Sequence, residues 1–165
     1  MSGNTAETAA SKTLIERPTD VDVVASRTFN APARVVWKAW TTPELFMRWW
    51  APRSMGMVLA GCEMDVREGG KYRVKFGDPS ADWAFFGRYL EVVLHERLVW
   101  TNDEDDNDAI TTVTFEETDG RTRVVYRETY PSKEALDAAG GAIDAAPEQF
   151  DQLAELLAGA GVGGV

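Results

Sequence analysis

The spacing of hydrophobic positions changes along the chain, and each change marks an element. Residues 21–29 alternate, which predicts a strand with Val23, Ala25, Arg27 and Phe29 on one face. Arg27 is the charged member of that face. The period then lengthens: Val35, Val36, Ala39 and Trp40 recur at helical spacing. Asn30 is the expected cap of this helix, and Pro32 suits a first turn, where its missing N–H is not needed. Thr42-Pro43-Glu44 repeats the start signal, and a second short helix carries Leu45, Phe46, Trp49 and Trp50 before Ala51-Pro52 ends it.

Alternation returns over residues 57–66, with Cys62, Met64 and Val66 on one side. Two glycines in Arg67-Glu68-Gly69-Gly70 predict a hairpin turn into residues 71–76, where Tyr72, Val74 and Phe76 point inward. The next strand, 83–93, has Trp83, Phe85, Gly87 and Tyr89 on one face until Leu90 and Val92 take over, so a bulge is expected between 87 and 90. Leu98 and Trp100 face inward from a fifth strand. Val113 and Phe115, then Val124, Tyr126 and Glu128, mark a sixth and a seventh joined at Asp119-Gly120. A short helical piece is expected at 133–139. The last helix is expected to start at Asp144 and carry Ala146, Phe150, Leu153 and Leu157 as its apolar stripe, with Asp151, Gln152 and Glu155 largely off it. Residues 1–17 and 160–165 are small and polar and read as flexible tails around one domain at 18–159.

Charge and composition narrow the partners. A net charge of −10 disfavours nucleic acid and anionic membrane, both of which call for cationic patches. The N-terminal stretch is not a secretory signal, and no apolar run approaches the ~20 residues of a spanning helix. Cys62 is the one cysteine, so a reducing, cytoplasmic setting is expected. Catalytic and metal-binding signals are thin: His95 lies in a turn, Cys62 has no histidine near it in sequence, and the acidic run 103–108 lacks the glycine of a calcium loop. No metal or cofactor is expected. The informative set is aromatic. Trp40, Trp49, Tyr72, Trp83, Phe85, Tyr89, Trp100, Phe115, Tyr126 and Phe150 fall on inward faces, where they either fill a core or line a pocket.

Six segments in order (FNAPARVVWKAWTTPELFMRWWAP, DVREGGKYR, GRYLEVV, ERLVWT, VTFEETDGRTRVVYR and FDQLAELLAG) give the chain a family likeness. It resembles the bacterial homologues of the heat-shock-protein-90 ATPase activator, within the START-like (SRPBCC, helix-grip) superfamily. The resemblance implies an α+β fold in which a seven-stranded curved antiparallel sheet wraps a long C-terminal helix, with two short helices after the first strand. It also implies a cavity between sheet and helix and, with it, non-catalytic binding of an apolar or aromatic small molecule. The lining would then come from the ten aromatic residues together with Met64, Val74 and Ala146. Arg27 and Glu128 would supply a charged end as a buried pair. Where the family usually carries Gly-Trp in the last helix, this chain has Ala145-Ala146-Pro147, which predicts a larger cavity. Two rival functions come with the resemblance: a co-chaperone that stimulates an Hsp90-type ATPase, which is not favoured, and a polyketide cyclase or dehydratase-like enzyme. The expected assembly is a monomer or homodimer.

Overall fold

The computed structural model describes residues 12–56, 59–77, 84–103, 108–139 and 142–159. Eight strands form one antiparallel sheet: β1 Leu14–Glu16, β2 Asp22–Phe29, β3 Leu59–Met64, β4 Lys71–Phe76, β5 Ala84–Val93, β6 Arg97–Thr101, β7 Ile110–Thr118 and β8 Arg121–Thr129. Their spatial order is β1-β2-β8-β7-β6-β5-β4-β3. Among the described residues four α-helices complete the fold: α1 Ala33–Thr41, α2 Pro43–Trp49, α3 Lys133–Ala138 and α4 Ala146–Ala158. This is the helix-grip arrangement, with one strand more than the seven expected. The extra strand, β1, lies inside the stretch read as a tail. Three residues are too short to show alternation, and only Ile15 of the three is half-buried.

Two features let the sheet bend. Gly70 closes the β3–β4 hairpin where a Cβ would stand 1.9 Å from the Asp65 carbonyl oxygen, so no side chain fits. At Gly87 a Cβ would lie 2.2 Å from the Thr101 carbonyl oxygen, and this close approach brings β5 down onto β6. The expected bulge is present: register shifts between Tyr89 and Glu91, leaving Leu90 pointing outward and 44% exposed.

The helices cap this bent sheet as their apolar stripes predict, but their ends are held differently. Asn30 does not cap α1. The helix starts at Pro32 without a side-chain cap, and the Ala33 N–H donates to Glu117 Oε1 of β7 at 2.8 Å. Asp144 does not cap α4 either, because it sits inside a preceding 3₁₀ turn, Ala142–Ala145. Gln152, expected off the apolar stripe, is buried. Its amide donates to the carbonyls of Trp49 and Ala51, each at 2.9 Å, and its oxygen accepts from the Arg53 N–H at 2.9 Å. Gln149 adds a bond to the Trp50 carbonyl at 2.7 Å. A sequence stripe marks apolar contact only; a buried amide that satisfies three backbone groups leaves no such mark.

Candidate functional site

The space between sheet and helices has two unlike ends. At one end Trp40 of α1 is the hub of a ring cluster: centroids lie 4.7 Å away at Trp49, 6.1 Å at Phe115 and Tyr126, 6.2 Å at Trp50 and Trp100, and 6.3 Å at Phe150. Most of these pairs meet edge to face, the favoured geometry for aromatic quadrupoles. The Trp49 indole N–H donates to the Ala39 carbonyl at 3.0 Å, whereas the buried Trp40 indole N–H has no hydrogen-bond partner. Trp40, Trp49, Phe115 and Phe150 of this cluster are buried.

The other end holds a cavity of about 300 Å³. Val23 of β2, Glu128 and Tyr130 at the end of β8, Leu136 of α3 and Ile143 of the 3₁₀ turn line it, with Ile15 and Arg17 beside β1. Asp137, Ala139 and Asp144 complete the wall. Antiparallel register explains why Glu128 arrives here. One row of inward positions crosses the sheet as Tyr89, Trp100, Thr111, Glu128 and Val23, each directly opposite the next.

Glu128 is the polar centre of the cavity. The Tyr126 hydroxyl donates to Oε2 at 2.9 Å and the Tyr130 hydroxyl to Oε1 at 3.1 Å. Behind them the Asn102 amide donates to Thr111 Oγ1 at 2.9 Å, and Thr111 hydrogen-bonds Tyr126. The donors therefore run in one direction and end on the carboxylate. Burial pushes the Glu128 carboxyl above the ordinary glutamate value, against the pull of the two hydroxyls. Burial, and then the Glu128 charge, push the Tyr126 hydroxyl well above the ordinary tyrosine value. The site can hold an apolar body and offers one carboxyl group to a polar end.

The residues singled out in the sequence divide between the two ends. Glu128 lines the cavity and Tyr126 touches it through Glu128, while Trp40, Trp49, Phe115 and Phe150 belong to the packed end. Tyr72, Tyr89 and Trp100 form a third group across β4–β6, with centroids 5.8–6.4 Å apart, and the Tyr72 hydroxyl donates to the Thr101 carbonyl at 2.7 Å. Val74 is buried, and Met64 and Phe85 are half-buried against the core. Ala146 is 3% exposed but is not part of the cavity wall. Trp83 lies outside the described residues, as do residues 104–107 of the acidic run, Gly140-Gly141 and the outer parts of both tails.

Arg27 and Glu128 are not a pair. Arg27 stands opposite Val124 and Glu128 opposite Val23, so four residues, about 13 Å, separate them along neighbouring strands. Arg27 instead donates from Nη1 to Asp151 Oδ1 of α4 at 2.5 Å, and its guanidinium lies 5.4 Å from the Phe29 ring centre. Of the cavity residues that went unremarked, Tyr130 had a legible signal, since it continues the Tyr126–Glu128 alternation by one step. Ile143, in a 3₁₀ turn, had none, and Leu136 sits in the short helix expected at 133–139, which is too brief for a stripe to single it out.

Neither remaining reactive side chain builds a second site. Burial, then the Glu44 and Glu63 charges, push the Cys62 thiol up to about 12, so it stays protonated at neutral pH. His95 occupies a turn at φ 63° with its ring 6.0 Å from Trp37. Among the described residues no group of three or more His, Cys, Asp or Glu is placed to hold a metal, and no helix is long and apolar enough to cross a membrane.

The family model "Activator of Hsp90 ATPase homolog 1-like protein" matches residues 30–158. Among solved structures, a Rhodobacter sphaeroides protein superposes with TM-score 0.79 at 23% identity, covering 89% of this chain and 98% of its own. A Mycobacterium smegmatis protein gives 0.76 at 24%, covering 88% and 96%. A Chromobacterium violaceum protein gives 0.65 at 27%, covering 84% and 98%. No curated protein matches the chain.

Proposed function

We propose, from the premise that the chain belongs to the Activator of Hsp90 ATPase homolog 1-like family, that it binds a small apolar or aromatic molecule without transforming it. The observation that carries this reading is the cavity of about 300 Å³ between strands β1, β2 and β8 and the segment from α3 into α4. Half of its lining is apolar (Ile15, Val23, Leu136, Ala139 and Ile143) and Glu128 is held by two hydrogen bonds, a mixture that suits a small molecule with an apolar body and a polar end. Catalysis would need a nucleophile or base beside a second poised group. Of the three acids in the wall, Asp137 and Asp144 are exposed, and both oxygens of the more buried Glu128 already accept tyrosine hydroxyls. We place this activity in the cytoplasm, in keeping with one cysteine and an acidic, soluble-type composition.

Fluorescence titration with naphthylethanol, a neutral apolar probe, tests the reading. Saturable binding that is lost in Ile143→Trp, which fills the cavity from its roof, is the expected result. An absence of binding to the wild type overturns it. The family description favours one rival, stimulation of an Hsp90-type ATPase. A saturable, several-fold rise in the chaperone's ATPase rate on adding this protein would establish that rival.

A further inference from the structure

We infer that the cavity selects an amphipathic organic cation: an apolar or aromatic body carrying one protonated amine, with the amine seated against Glu128. The inference rests on the binding reading above and names the ligand class for that same cavity.

Three observations lead to it. First, the wall carries three carboxylates, Glu128, Asp137 and Asp144, against one guanidinium, Arg17. Arg17 Nη2 lies 3.7 Å from Asp137 Oδ1, so the one cation of the wall is already engaged at the rim. Second, Glu128 is the innermost of these acids, and every protein group that hydrogen-bonds it, Tyr126 and Tyr130, donates a neutral hydroxyl. Among the described residues no lysine or arginine lies within ion-pair distance of it, and the Arg27 that shares its face of the sheet pairs with Asp151. Third, the apolar walls Val23, Leu136 and Ile143 surround that charge. A carboxylate held in apolar surroundings without a counter-charge gains most from a cation brought by the ligand. The net charge of −10 attracts such a ligand from a distance. An anionic ligand would meet the opposite field, and a neutral one would leave the carboxylate uncompensated.

The groups facing Glu128 also set the pH response. Tyr126 and Tyr130 donate to it, and Arg17, Asp137 and Asp144 stand at the wall. Burial holds the Glu128 carboxyl above its ordinary range, so acid neutralises it before most glutamates. Amine binding is therefore strongest where Glu128 is ionised and weakens as pH falls through that raised value, while binding of a neutral probe does not change.

The experiment compares naphthylethylamine, naphthylethanol and naphthylpropionate by titration calorimetry on the full chain, from neutral pH downward. The expected result is that the amine binds about tenfold or more tighter than the alcohol at neutral pH, the scale of a charge-assisted hydrogen bond, and the acid weakest. The amine's advantage shrinks in acid. In Glu128→Gln, which keeps the shape, the amine falls to the level of the alcohol measured on the same variant. If the alcohol binds and the amine binds no tighter, the cation inference is wrong and the binding reading stands. An equal amine preference in Glu128→Gln refutes the role given to that residue. If none of the three probes binds, the cavity reading itself fails. Should Glu128→Gln not fold, the wild-type pH series decides alone, because an amine-to-alcohol ratio that stays constant into acid overturns the inference.

Discussion

The two ends of the space under the sheet differ in residue type: large rings gather around Trp40, whereas aliphatic and charged side chains surround Glu128. Around Trp40, large rings from α1, α2, α4 and three strands meet one another at centroid distances of 4.7–6.3 Å. Around Glu128, the covering element is irregular chain, α3 and a 3₁₀ turn, with the small side chains of Val23 and Ala139 below and beside it. The difference shows that inward aromatic residues do not by themselves make a pocket. The cavity lies where the cover is irregular chain, a short helix and a 3₁₀ turn.

Buried charge follows the same division. Arg27, 8% exposed, meets a partner that is itself 68% exposed, so the helix carboxylate of Asp151 neutralises it from outside. Glu128 has hydroxyls instead of a counter-ion. One charge is thus spent on fastening α4 to β2, and the other faces space.

The largest effect expected from breaking this contrast is at the packed end. Trp40→Ala removes the ring on which six others converge and costs about 3–5 kcal/mol, measured by denaturant unfolding. A loss under ~1 kcal/mol would mean that the cluster is loose and the contrast between the ends false. Ala146→Trp comes next. Ala146 is buried and stands outside the cavity wall, so overpacking by about 1–3 kcal/mol is expected, with naphthylethanol binding retained. A neutral or stabilised variant that loses the probe would extend the cavity to the helix. Asp151→Asn leaves Arg27 without its counter-charge. Because Asp151 is mostly solvated, the expected loss in unfolding free energy is about 1–2 kcal/mol, well short of a fully buried pair.

The smallest effect is in the pH dependence of stability. The folded-state value of Glu128 lies above its unfolded one, so its relative contribution is greatest below the unfolded value and is lost as pH rises through the folded one. Asp22 has the opposite sign: the Thr129 hydroxyl holds its carboxyl below the ordinary aspartate value, so its contribution is present at neutral pH and lost in acid. Thermal unfolding of Glu128→Gln across mildly acidic to neutral pH should lose the downward slope of the wild type and keep the acid limb. An unchanged profile would place Glu128 in water.

Much of this molecule was legible before its coordinates. Strand alternation, the two tryptophan-rich helices and the stripe of α4 follow from period alone, because a side chain's face is set by local backbone geometry. So were Gly70 and the bulge after Gly87, where local sequence states the conformational need. The caps were not. Asn30 and Asp144 have the right chemistry, yet Glu117 satisfies one helix start and a 3₁₀ turn precedes the other.

What the sequence by itself determined is therefore which residues face inward, and with them the fold and the family. What tertiary structure decided is which inward residues meet. Arg27 and Glu128 share a face by periodicity, but register places them four residues apart and hands one to Asp151 and the other to a cavity. Register between β2 and β8, separated by about a hundred residues of chain, is fixed by the packing of whole faces rather than by either segment alone. The cavity itself is the volume left over after that packing, and leftover volume is not written at any one position.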